Sequence, residues 1–224
     1  MIKNLFESEI YQRRKLKYLN ACGGDVNKAA LLYKLNKRIS ATIFTLIGEF
    51  EIIIRNQIDI IYKKKWGNEW LKNESHNENG FLKIKGCERS AEIIENCIKK
   101  FNSDRVYNHD RLLSDLSFAF WEYMFESKQY RAGGNILLNI FPKRPKNTKQ
   151  NDIFKKLKNL VKLRNKVYHH SQVCINKNDK ISSEIIIENL EIMKDLIEWM
   201  DIDFEAIYDS ELEILLNDLH KLES

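Results

Sequence analysis

Ile39-Ser40-Ala41-Thr42-Ile43-Phe44-Thr45-Leu46-Ile47-Gly48-Glu49-Phe50-Glu51-Ile52-Ile53-Ile54-Arg55-Asn56-Gln57-Ile58 brings an apolar side chain back every three or four residues. Ile39, Ile43, Leu46, Ile47, Phe50, Ile54 and Ile58 therefore fall along one side of an α-helix. The spacing extends back to Ala29, Ala30 and Tyr33 and forward through Ile53 to Ile61. It predicts one long helix from Val26, or two in tandem with a bend near Asn36, ending before Gly67. Asp25 is a residue type that caps a helix start, and Cys22-Gly23-Gly24 stops the helix before it.

Outward from this segment the helical signature continues. Ile2 to Leu19 reads as a first helix, basic on its exposed side with Arg13, Arg14, Lys15 and Lys17. Trp66-Gly67-Asn68-Glu69-Trp70 is a turn with aromatic anchors, and polar Asn73 to Gly80 a loop that leaves His76 solvated. A short helix from Glu88 to Phe101 points Ile93, Ile94, Cys97 and Ile98 inward, and Asn102 to Arg111 connects it onward. Leu112 to Glu126 is nearly apolar all round, the mark of a central helix. Gly133-Gly134 breaks the chain before Ile136 to Phe141. Asp152 is expected to cap a helix burying Phe154, Leu157, Leu160, Val161 and Leu163. Ser182 or Ser183 caps another, through Trp199, and Asp209-Ser210 opens the last, Leu212 to Leu222.

Two prolines and eight glycines interrupt these patterns rarely, so the fold class is all-α. With 224 residues, 43% of them hydrophobic, the chain can bury one core. A single domain over 1–224 is expected, with an N-terminal helical part (1–101) and a C-terminal part (102–224). A net charge of +5, from 37 basic and 32 acidic residues, is compatible with RNA but does not select it. Cys22, Cys87, Cys97 and Cys174 form no CxxC pair and read as reduced thiols. The N-terminus has no apolar signal core, and no run approaches the about 20 residues a membrane span needs. The expected location is the cytoplasm, with no membrane partner.

Leu163-Arg164-Asn165-Lys166-Val167-Tyr168-His169-His170-Ser171 holds the reactive groups. Arginine is a permanent planar cation that grips phosphate through a fork of donors, and histidine exchanges protons near neutral pH. Together they suffice to cut a phosphodiester that carries its own nucleophile, the 2′-hydroxyl of RNA. No cofactor and no metal is called for, since adjacent histidines rarely chelate one ion and no carboxylate cluster supports His169, His170 and Cys174. The bland reading is a helix end whose polar residues cap carbonyls. Five residues turn a side chain about 140° round an ideal helix, so Arg164 and His169 do not stack. Either the helix ends near Tyr168 and the histidine pair swings back, or the two groups serve a site shared with a partner molecule. Lys143-Arg144-Pro145-Lys146-Asn147-Thr148-Lys149 just before the helix is a solvated loop or a phosphate-gripping lip; its RNA-binding candidates are Lys143, Arg144, Lys146 and Lys149.

Arg164-Asn165-x-x-x-His169-His170 resembles the R-x4-6-H signature of HEPN-domain ribonucleases. Its wording is most similar to the Abi-like (abortive infection) branch. Two further segments carry the resemblance. One runs from Gly24-Asp25 and Leu32-Tyr33 to Glu51-x-x-x-Arg55-Asn56 and Trp66-Gly67-x-x-Trp70. The other is Leu116-x-Phe118-x-Phe120-Trp121, with Ala119 where relatives have glycine. The resemblance implies a HEPN-like helical bundle with long N-terminal helices packed on it. It implies a metal-independent endoribonuclease of anti-phage, toxin–antitoxin type, acting as a homodimer whose two motif copies share a site. His169 is then general acid or base, and Arg164 stabilises the charged transition state. Asn165 holds the arginine or a phosphate oxygen. His170 is a second proton-transfer group or fixes the turn by hydrogen bonding. Glu51, Arg55 and Asn56 play a supporting role. Ser171 replaces a glutamate common in relatives, and Arg131-Ala132-Gly133-Gly134 departs from their pattern, so no role is carried over there. The rival reading is an RNA-binding HEPN protein that holds a structured small non-coding RNA without cutting it.

Overall fold

The computed structural model describes residues 12–101 and 107–223. It is all-α, with an isolated antiparallel bridge between Ile175 and Ile181 and no strand among the described residues. The helices are α1 (Gln12–Ala21), α2 (Val26–Trp66), α3 (Trp70–His76), α4 (Glu88–Lys99) and α5 (His109–Asp115). They continue with α6 (Phe118–Tyr123), α7 (Ser127–Ala132), a 3-10 turn (Leu137–Ile140), α8 (Gln150–Tyr168), α9 (Glu184–Trp199) and α10 (Phe204–Glu223). The expectation for Ile2 to Tyr11 lies outside the described residues, as do the side chains of Arg13 and Arg14.

The chain groups into two compact units. The first comprises Met1–Gly48, Lys162–Lys194 and Asp203–Ser224; the second Glu49–Val161 and Asp195–Ile202.

Helix α2 is one continuous helix of 41 residues. Asp25 starts it as expected: its Oδ1 accepts the backbone N–H groups of Asn27 (2.9 Å) and Lys28 (3.1 Å). The helix runs through Asn36 without interruption. This side chain is buried within the first unit, where its Oδ1 accepts the backbone N–H groups of Val173 (2.8 Å) and Cys174 (3.1 Å). In the second unit an aromatic cluster fills the core: Tyr62 against Trp70 at 4.7 Å, Trp66 against Phe81 at 5.1 Å, and Phe50 against Phe118 at 5.9 Å between ring centres.

Several expectations are corrected. The segment Leu112 to Glu126 is two helices, α5 and α6, not one. Leu116 and Ser117 are extended (ψ 133° and 160°), and Ser117 then restarts the helix as its N-cap. Ser114 contributes to the break by bonding back to the Asp110 carbonyl at 2.9 Å, a local alternative to further helix. Residues 73–76 are helical rather than loop, because Trp70, Leu71 and Ser75 give α3 a buried face. Residues 109–111 belong to α5, whose N-cap Asn108 accepts from the Arg111 N–H at 3.0 Å. Helix α10 begins well before Leu212, at Phe204, because Asp203 caps it: its Oδ1 accepts the N–H groups of Glu205 and Ala206 at 3.0 and 3.2 Å. Of its expected inward stripe, Leu215 and Leu219 are buried while Leu216 is 60% exposed.

Candidate active site at the end of helix α8

Helix α8 starts by a reciprocal cap. The Lys149 N–H donates to Asp152 Oδ2 at 2.8 Å, and the Asp152 N–H returns to the Lys149 carbonyl at 3.0 Å. Asp152 thus sits inside the first turn, and Lys149 holds the cap position. The buried stripe is Ile153, Leu157, Leu160 and Val167, with Val161 and Leu163 beside it; Phe154, expected inward, is only half-buried under the Lys158 ammonium. Ile153, Leu157, Leu160 and Val167 are joined at i, i+4, i+7 and i+14, and the missing i+11 position is Arg164. An arginine therefore occupies a place where the helix presents apolar side chains.

Arg164 is accordingly half-buried. The guanidinium carbon lies 4.8 Å from the centroid of the Tyr168 ring, one turn on. Tyr168 is 55% exposed, and the exposed His169 ring meets it edge-on, 5.4 Å away at 82°. The structure thus brings Arg164, Tyr168 and His169 into one row. Tyr168 was missed as a site residue, although its position four after Arg164 was the available signal.

The helix ends in a Schellman cap. Ser171 N–H donates to the Lys166 carbonyl at 2.8 Å and His170 N–H to the Val167 carbonyl at 2.9 Å. His170 occupies the left-handed position with φ 54°. Of the two routes considered, the helix does end at Tyr168 and the chain turns back through the histidines. Asn165 is exposed, and its backbone carbonyl accepts the His169 N–H at 3.0 Å. Past the turn the two Asn36 hydrogen bonds hold Val173 and Cys174. Burial pushes the Cys174 thiol up to about 12, so it stays protonated at neutral pH and cannot join the histidines as a thiolate.

The supporting candidates lie in the second unit. Glu51 and Arg55 are half-buried, Asn56 is exposed, and the buried Arg55 Nε makes no hydrogen bond. In the basic run, Arg144 is occupied structurally: Nη1 donates to the Leu138 and Phe141 carbonyls, both at 2.9 Å. Lys143 Nζ lies 3.8 Å from Asp201, and Lys146 and Lys149 are exposed.

The second unit also holds a polar cluster that sequence reasoning missed. Buried Asp59 accepts the Trp70 indole N–H at 2.8 Å and His109 Nε2 at 2.7 Å on one oxygen, and Lys63 Nζ at 2.7 Å on the other. Burial pushes the Asp59 carboxyl up, but the bonds from His109, Lys63 and Trp70 outweigh it and hold it below the ordinary carboxylate range.

No protein-family model, no curated protein and no solved structure matches this chain. Fold and site together define the class: an all-α protein with a row of half-buried arginine, exposed tyrosine and exposed histidine at a helix end. Among the described residues no helix is long and apolar enough to cross a membrane.

Proposed function

We propose that this chain is an Abi-like HEPN endoribonuclease that cuts RNA without a metal, in a defence system of the abortive-infection or toxin–antitoxin kind. The carrying observation is the Arg164–Tyr168–His169 row. A cation set into a core-facing register, with its head held over an exposed ring beside an exposed imidazole, suits recognition of a phosphate and proton transfer next to it. The resemblance of Arg164-Asn165-x-x-x-His169-His170 to the HEPN signature supplies the reaction class.

In this reading the 2′-hydroxyl oxygen attacks the adjacent phosphorus and the bond to the 5′-oxygen breaks. A base removes the 2′ proton, and an acid delivers a proton to the departing 5′-oxygen. The products are a 2′,3′-cyclic phosphate and a 5′-hydroxyl. His169 fills one of these roles and its counterpart in a second copy the other, while the Arg164 fork faces the charge building on the non-bridging oxygens. Tyr168 offers a face on which a base can stack. Exposed Lys162 and Lys166 on the same helix add phosphate attraction.

The test is cleavage of a fluorescent RNA by wild type, Arg164→Ala and His169→Ala. Losses of about 10²–10³-fold and 10²–10⁴-fold are expected. Two active variants would sink the reading. An inactive wild type that purifies with a raised 260/280 nm absorbance ratio would select the RNA-holding alternative.

A further inference from the structure

The first unit carries two adjoining grooves. One, about 780 Å³, is lined by Leu31, Leu32 and Leu35 of α2 together with Lys28 and Lys34, and by Arg38 and Lys221, which both bond to Asp218 (2.8 and 3.4 Å); among the described residues no carboxylate lines it. The other, about 860 Å³, is lined by Ile187 with Glu184, Glu188 and Glu191 of α9, and among the described residues by no cation. Ile181 and Leu222 line both, so the grooves meet along a shared apolar seam. Leu31, Ile181 and Ile187 are 64%, 42% and 41% exposed, a strip of large aliphatic side chains left in water.

We propose that this double groove is the docking face for a second copy of the chain. A two-fold contact places the same patch of both copies together, so residue i meets residue j while j meets i. With the axis at the Ile181–Leu222 seam, the cationic groove of each copy faces the acidic groove of the other. The charges are then matched twice, and the exposed aliphatic strip forms the dry centre. An anionic ligand accounts for the lysine groove alone and would be repelled by Glu184, Glu188 and Glu191. A second copy accounts for both. The inference does not rest on the ribonuclease reading.

The test is the mass of the full chain by light scattering or sedimentation, with two charge-reversed variants: Lys28→Glu/Lys34→Glu and Glu188→Lys/Glu191→Lys. All four positions are exposed, so folding is preserved and is checked by helical circular dichroism. Wild type is expected to sediment as a dimer that dissociates in high salt. Each variant alone is expected to dimerise at least about tenfold more weakly, and an equimolar mixture to recover the dimer. A monomeric wild type up to about 100 μM overturns the proposal. So do variants that dimerise like wild type, or a mixture that stays monomeric. A monomeric wild type would also remove the second histidine that the proposed cleavage takes from another copy, whereas variants that dimerise like wild type overturn this docking face alone.

Discussion

The Arg164 guanidinium lies over the face of the Tyr168 ring, 4.8 Å from its centroid, although its register assigns it to the buried stripe. At an exposed site a cation–π contact contributes about 0.5–1 kcal/mol, and stacking of a base on the same ring about 1–3 kcal/mol. Tyr168→Ala removes both, whereas Tyr168→Phe keeps a ring for each. On the nuclease reading, Tyr168→Ala is expected to weaken RNA binding roughly tenfold with stability nearly unchanged, and Tyr168→Phe to stay near wild type. Fluorescence anisotropy with a labelled single-stranded RNA checks this. Equal losses for the two variants would move the effect from ring to hydroxyl.

His170 invites a separation of stability from activity. Among the described residues four helices end in Schellman caps with a left-handed residue: Gly23 (φ 60°), Gly134 (φ 89°), His170 (φ 54°) and Asp201 (φ 64°). A side chain at such a position costs about 1 kcal/mol relative to glycine. His170→Gly is therefore expected to raise stability by about 0.5–1 kcal/mol, read as a higher urea midpoint. If the imidazole also moves protons, the same variant loses cleavage activity while gaining stability. A merely structural His170 predicts a gain with activity intact.

How far such features can be read from sequence depends on the range of the interaction that creates them. The helix over Val26–Trp66, its Asp25 cap and the stop at Gly23 follow from contacts within a few residues, and all were legible. So was the turn at Tyr168, as one of two routes. The break at Leu116–Ser117 was hidden because a segment apolar on every side has no phase to interrupt. The Asp59–His109 pair joins residues 50 apart, and Asn36 meets Val173 across 137. No local pattern marks a polar side chain whose partner comes from elsewhere in the chain. Arg164 was singled out for its chemistry, while its place on the apolar stripe emerged only once Ile153 replaced Phe154 as the inward residue.

Asn36 should matter more than its position in mid-helix suggests. Its single oxygen satisfies two backbone donors just past His170, and replacement by an apolar residue leaves both unpaired in a buried place. Asn36→Leu is expected to destabilise the protein by about 2–4 kcal/mol. Asn36→Asp keeps the acceptor and should cost less. Hydrogen exchange supplies the local readout: the Val173 and Cys174 amides lose protection first in Asn36→Leu. Unchanged protection there would mean that the loop is held by something other than this side chain.

Asp59 sets the pH range over which the second unit holds together. Its carboxyl is held low when folded, so its contribution is complete above the unfolded value of about 4 and fades as pH falls through the folded one. Lys63 is shifted the other way: the hydrogen bond to Asp59 raises its ammonium, and that contribution fades only as pH climbs past about 10.4. Between these limits Asp59→Asn removes the charge that faces Lys63 and weakens an acceptor shared by His109 and Trp70. A loss of about 3 kcal/mol at neutral pH is expected, as for other buried pairs deprived of one partner. Urea unfolding from pH 3 to 8 distinguishes charge from shape. Wild type should lose stability steeply below about pH 4, the variant should show a shallower acid limb, and the two curves should converge at the acid end. Parallel curves would mean that Asp59 acts through its geometry and not through its ionisation.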